Sequence, residues 1–169
     1  KLELLLQVAE RAEAQARSDP ANPNAHYLQA YALGRYSQGI SVAKALAQGL
    51  GAKVKNALEK TIQLEPQHAD ARIALGAFHA EVIDKVGPLI GGMTYGAKKD
   101  TGLKLFEEAL ALCPQMPIAL IEYANGMVML EGEKRLAEAT KLYEKAAACK
   151  PQDAMERLDV EMARAELAD

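Results

Sequence analysis

The sequence predicts an all-α protein of about eight helices, stacked as successive antiparallel pairs. Three observations carry the prediction. Half of the 169 residues are hydrophobic while aromatics make up only 5% and Trp is absent, so Ala and Leu dominate, a composition that favours close-packed helices over a β-sandwich. Three segments end on a helix-stopping proline with the same pattern behind it. Ala139, Tyr143 and Ala146 precede Pro151; Gly102, Phe106 and Ala109 precede Pro114; Val54, Leu58 and Thr61 precede Pro66. Finally, Ala32-Leu33-Gly34 recurs as Ala74-Leu75-Gly76, each with a His eight residues before the Gly, His26 and His68.

The elements follow in order. Leu2, Leu5, Leu6, Ala9, Ala12 and Ala16 recur at helical spacing, and Ser18-Asp19-Pro20 stops that first helix. The second spans about Asn24 to Gln38. Gly39 to Gly51 holds a short Ala-rich segment, Val42 to Ala47, between glycines. A helix from about Ala52 to Leu64 ends at Pro66, and its successor runs from near His68 to about Lys85. The stretch from Val86 to Gly96 reads as a Gly-rich loop. Helices are then expected from Thr101 to Cys113, capped by Asp100 or Thr101, from Ile118 to Leu130 with a stop at Glu131-Gly132, and from Glu133 to Ala148. Ala154 to Leu167 would close the stack as a cap with a charged outer face of Glu156, Arg157, Glu161 and Arg164. The whole, residues 1–169, reads as a single domain: an incomplete repeat (1–19), helix pairs at 24–66, 67–114 and 116–151, and the cap (152–169).

The small–large–small pattern before each Pro resembles the second helix of a tetratricopeptide (TPR) repeat. That resemblance covers nearly the whole chain and implies a TPR-like α-solenoid with enlarged turns in two repeats, where Gly51-Ala52-Lys53 and Gly96-Ala97-Lys98 recur. More distantly, in loop style, the chain resembles the T component of tripartite ATP-independent periplasmic transporters and the regulator of microtubule dynamics proteins.

Charge and motifs narrow the function. A formal charge of -3, without clustered Lys or Arg beyond Lys98 and Lys99, disfavours a nucleic-acid surface. No apolar run reaches the ~20 residues of a membrane span. The chain opens at Lys1 inside an amphipathic pattern, without a signal peptide, so a soluble protein is expected, either cytoplasmic or periplasmic after loss of a leader. Gly91 to Lys98 is not a P-loop, because Ala97 separates Gly96 from the Lys and a helix precedes it. His68 and His79 stand about three turns apart and cannot share a metal ion. Cys113 and Cys149 occupy equivalent helix ends and are expected to be free, buried thiols. No nucleophile has an identifiable base. The sequence therefore predicts no catalytic residues, no metal and no cofactor.

In TPR proteins the first helix of each pair lines the concave surface. Taking Gly34, Gly76 and Gly126 as equivalent small positions, the residues three before and one after face the groove: Tyr31 and Arg35, Ile73 and Ala77, Tyr123 and Met127. They form no carboxylate clamp. They make an apolar groove for a peptide or partner helix, or else belong to the core. Leu89, Ile90, Met93 and Tyr95 of the Gly-rich stretch are the other candidate contacts. The leading expectation is a non-catalytic protein-interaction module; the alternative is a carrier or sensor of a small apolar ligand, such as a transporter accessory protein.

Overall fold

A computed structural model of the chain describes residues 1–168. Among them it contains nine α-helices and one 3₁₀ turn and no strand: α1 (Leu2–Ser18), α2 (Pro23–Gln38), α3 (Val42–Ala47), α4 (Leu50–Leu64), α5 (Ala69–Tyr95), α6 (Lys99–Leu112), α7 (Pro117–Glu131), α8 (Leu136–Ala148) and α9 (Ala154–Glu166). The helix beyond the expected eight is α3, the Ala-rich segment between glycines. The chain divides into two compact units, Lys1–Ala74 and a second beginning at Leu75.

In the first unit α2 packs against both α1 and α4. Small side chains make this possible: α1 buries Ala9, Ala12 and Ala16, and α2 buries Ala25, Ala30 and Ala32 beside Leu33 and Tyr36. Asn22 caps α2 by accepting from the Ala25 N–H at 3.3 Å, and Pro23 occupies the first helical position, where its missing N–H costs nothing. Ser41 caps α3 in the same manner through the Lys44 N–H. On α4, Val54, Leu58 and Thr61 are all buried, as the spacing from Pro66 requires. The Thr61 hydroxyl is accommodated by the Ala57 carbonyl at 2.9 Å and lies 3.4 Å from that of Pro23, so this buried hydroxyl is not stranded.

The second unit centres on Phe106. Its ring lies against two positions that lack a Cβ: one built at Gly76 would stand 3.0 Å from it, and one at Gly126 would collide with it. Gly102 and Ala109, either side of Phe106 in the α6 register, are buried too. A second layer joins Leu120, Ile121, Ala124 and Met127 of α7 to Ala139, Leu142 and Ala146 of α8 and Ala163 of α9. Tyr143 is half-buried, its hydroxyl donating to Asn125 Oδ1 at 2.8 Å.

Several expectations need correction. Residues 86–96 are not a loop. Helix α5 breaks at Gly87, whose φ of 80° is open only to glycine at no cost, and Pro88 restarts the helix to Tyr95. Glycine is needed here for a second reason. A Cβ at Gly91 would stand 3.1 Å from Val82 Cγ1, so the absent side chain lets the short helix fold back on α5. Helix α6 begins at Lys99 without a side-chain cap, and Asp100 lies in its first turn, where a carboxylate suits the helix dipole. Residues 133–135 form the 3₁₀ turn before α8. The cysteines are free, but Cys113 is exposed and Cys149 partly so; both sit just past a helix end, where the backbone leaves the core. The outer face of α9 is less polar than expected, since burial of Val160 and Ala163 turns Met155, Leu158 and Met162 outward.

Candidate functional site

Helix α2 keeps one face open. With Ala25, Ala32, Leu33 and Tyr36 turned inward, Asn24, Leu28, Tyr31, Arg35 and Gln38 form a continuous exposed stripe at helical spacing. Tyr31 is 43% exposed. The Arg35 guanidinium stands 5.6 Å from the centre of its ring, and Arg35 Nη1 donates to Gln38 Oε1 at 3.4 Å. Behind it Tyr27 packs against Tyr31 and the His68 ring. Burial, then the charges of Asp70 and Tyr31, raise the Tyr27 hydroxyl well above the ordinary tyrosine value.

The other sequence-predicted groove residues divide. Ala77 is partly exposed, but Ile73 and Met127 are buried in the core, and Tyr123 is half-buried. The reason is register. Gly34 is the twelfth residue of α2, Gly76 the eighth of α5 and Gly126 the tenth of α7. A shift of four residues slides the choice back one turn on nearly the same face, so Ala77 survives and Ile73 does not. A shift of two rotates it by ~200°, onto the opposite face. Aligned on their first residues, Pro23, Ala69 and Pro117, the helices present equivalent outer stripes: Leu28, Tyr31 and Arg35; Ala74, Ala77 and Glu81; Glu122, Asn125 and Met129. Leu28, Asn125 and Met129 were missed; the prolines that open α2 and α7 were the available anchor.

Tyr123 instead stacks on Phe106, centroids 5.6 Å apart, and its hydroxyl donates to Glu107 at 3.2 Å. Burial first, then the Glu107 charge and that hydrogen bond, push its pKa up to about 12. Close by in sequence, Glu131 accepts from Lys99 Nζ at 2.7 Å and from Arg135, while Lys134 lies 3.9 Å away. The Lys99 hydrogen bond, then the Arg135 charge, hold its carboxyl below the ordinary glutamate value.

The Gly-rich stretch exposes Leu89, Ile90 and Met93, whereas Tyr95 is half-buried and meets Phe78 edge-on at 6.4 Å. The histidines serve the backbone. His68 Nδ1 accepts from the Ala71 N–H at 3.2 Å and caps α5, His79 Nδ1 accepts from the Lys98 N–H at 3.0 Å, and His26 Nε2 meets the Pro20 carbonyl at 3.1 Å. An open cleft of about 330 Å³ between α2 and α4 is lined by His26, Gln29, Lys53, Asn56, Ala57 and Lys60, a polar set that no sequence motif announced. Among the described residues no group of three or more His, Cys, Asp or Glu could hold a metal ion, and no helix is long and apolar enough to cross a membrane. The chain matches no model of a known protein family and no curated protein.

Proposed function

We propose that this chain is a non-catalytic interaction module, built from TPR-like helix pairs, that binds an apolar peptide or a partner helix through the open stripe of α2. The reading rests on one observation: Leu28, Tyr31 and Arg35 lie exposed in a row on a helix whose other faces are packed. Tyr and Arg are the residues that most often dominate binding energy at protein interfaces, because each offers a large contact area and a polar end. Here the Arg35 guanidinium lies over the Tyr31 ring, 5.6 Å from its centre, a weak bias toward one arrangement that lowers the ordering cost of association. Spacing of i, i+3 and i+7 suits a segment laid along the helix.

A carrier of small apolar ligands is less well supported. The side chains that would wall its pocket, Leu89, Ile90 and Met93, each expose more than half their surface, with Ile90 lowest at 58%.

Selection of a displayed peptide library on the immobilised chain tests the proposal, with a Leu28→Ala/Tyr31→Ala/Arg35→Ala variant as counter-target. Peptides enriched on the native chain should bind the variant at least about tenfold more weakly. Equal enrichment on both, with the variant's helical circular dichroism unchanged, would overturn the assignment of this face.

A further inference from the structure

The cleft between α2 and α4 joins a pocket to positive charge that no carboxylate answers. The Thr61 hydroxyl lies 3.4 Å from the Pro23 carbonyl, so residues further along α2 face residues further back along α4. Lys60 thus closes the end beside His26, Lys53 the end beside Gln29, and Asn56 lies between them. The two lysines are seven residues apart on α4, which places them on one face and ~10 Å apart along the helix axis.

Neither ammonium group meets an acid. Lys60 Nζ donates to the Gln63 amide oxygen at 3.3 Å. The side chains of Gln29, Lys53 and Asn56 make no hydrogen bond or ion pair among the described residues. Between residues 22 and 64 the one acid is Glu59, which Lys55 holds at 2.6 Å. Helix α1, the other neighbour of α2, lends the cleft no residue. The surplus survives a wider count. Residues 19–65, with Asp19 and Glu65 included, carry five Lys and Arg to three acids. The whole unit Lys1–Ala74 carries nine to seven, in a chain whose net charge is -3.

The lining also selects among anions. No Arg is present to fork onto a planar carboxylate, whereas ammonium groups serve phosphate as point charges. Between the lysines stand uncharged groups that match hydroxyls. Gln29 and Asn56 each offer an amide, and His26, whose Nε2 donates to the Pro20 carbonyl at 3.1 Å, keeps Nδ1 for a ligand. Ala57 is the sole apolar lining residue, so nothing here stacks on an aromatic base. A volume of about 330 Å³ is near the lower end of ligand sites, ~300–1,000 Å³.

We propose that this cleft binds a small phosphorylated polyol of the sugar-phosphate class, with phosphate at Lys53 and Lys60 and hydroxyls on Gln29, Asn56 and His26. The site uses none of the α2 stripe, and its test does not depend on that assignment.

The test titrates the whole chain calorimetrically, in buffer free of phosphate, with fructose 1,6-bisphosphate, glucose 6-phosphate, inorganic phosphate and glucose. The bisphosphate should bind most tightly, the two single-phosphate probes more weakly, and glucose not at all. Lys53→Gln and Lys60→Gln should each weaken the bisphosphate at least about fivefold, and the double variant should lose saturable binding. Lys44→Gln removes the same charge from α3, outside the cleft, and should change affinity less than about twofold. Circular dichroism should be unaltered in all of them, since none of these lysines is buried. Asn56→Asp, which sets a carboxylate between the lysines, should abolish binding without altering the helical signal. No saturable binding at millimolar bisphosphate would overturn the proposal, as would undiminished binding by the Lys53→Gln/Lys60→Gln variant. A loss in Lys44→Gln equal to that in the cleft variants would reduce the effect to net charge and overturn it too. Inorganic phosphate that binds as tightly as the bisphosphate would remove the polyol, and a hexaglutamate peptide that binds more tightly would assign the cleft to an acidic protein segment instead.

Discussion

Helices α2 and α7 start alike and end in different roles. Each has Pro at its first helical position, and each packs between neighbours within its own unit. Helix α2 meets α1 and α4, while α7 meets α6, α8 and also α9. Helix α7 buries Ala119, Leu120, Ile121, Ala124, Gly126 and Met127, and at the position equivalent to Tyr31 it carries Asn125, hydrogen-bonded to Tyr143. Helix α2 leaves that position free for Tyr31 and Arg35. The same helical position is thus tied to a neighbouring helix in one unit, through Tyr143, and exposed in the other, at Tyr31.

A large loss of stability is expected at the α7–α8 contact. Ala146 is fully buried among Leu120, Ile121, Ala124 and Met127, so Ala146→Leu should cost ~1–3 kcal/mol or more. At this size that lowers the melting temperature by ~2–4 °C per kcal/mol. The exposed neighbouring change Glu144→Gln should leave it within a degree or so. An unaltered melting temperature in Ala146→Leu would mean that α8 does not press on α7 at this position.

Next comes a pair of glycine substitutions with opposite signs. A Cβ at Gly126 of α7 would collide with the buried Phe106 ring, whereas one at Gly34 of α2 would meet nothing within 4 Å. Gly126→Ala should therefore cost ~1–2 kcal/mol, the overpacking outweighing the gain in helix propensity. Gly34→Ala should stabilise by ~0.5–1 kcal/mol for want of any clash. Urea melts of the two variants check this, and the same sign for both would erase the distinction between the helices.

These glycines also explain what was legible in the sequence. The register of α4, α6 and α8 was readable because every signal in it is local: Pro66, Pro114 and Pro151 fix the helix ends, and Val54 to Thr61, Gly102 to Ala109 and Ala139 to Ala146 count back from them. The register of α2, α5 and α7 was not, because it was anchored on glycines present for different reasons. Gly126 admits Phe106, while Gly34 admits nothing. Residue type alone does not distinguish a packing glycine from a tolerated one. The same ambiguity made residues 86–96 read as a loop, where Gly87 breaks a helix and Gly91 allows the close approach to Val82 that folds the next one back. Of the candidate contacts, Tyr31, Arg35, Leu89, Ile90 and Met93 are exposed. Ile73 and Met127 went to the core because a misplaced anchor turns a helix face inward.

A smaller effect should appear on the acid side of the stability curve. The lowered Glu131 carboxyl is ionised in the folded protein at pH values where the unfolded chain already binds a proton. Its contribution is thus present above the ordinary glutamate value and is lost as pH falls through the lowered folded value. In Glu131→Gln, Lys99 and Arg135 lose their shared partner at every pH. The melting temperature should then fall less steeply between pH ~5 and ~3 than in the native protein. Parallel profiles would show that the cluster at the end of α7 contributes nothing to acid sensitivity.

The smallest effect on stability is expected on α2, and its smallness is the informative part. Leu28 and Tyr31 are 47% and 43% exposed, and Tyr31 meets only Tyr27 and Arg35 among the aromatic and cation–π contacts of the unit. Such an exposed pair contributes ~0.5–1 kcal/mol at most, and the helix propensity gained on substitution by Ala offsets part of it. Leu28→Ala/Tyr31→Ala should therefore unfold within ~1 kcal/mol of the native chain in urea. By contrast, Ile121→Ala on the packed face of α7 removes a side chain that is 1% exposed and should cost ~2–5 kcal/mol. If the α2 variant proved as unstable as the α7 variant, Leu28 and Tyr31 would be packing residues, and the stripe would be part of the core instead of a surface awaiting a partner.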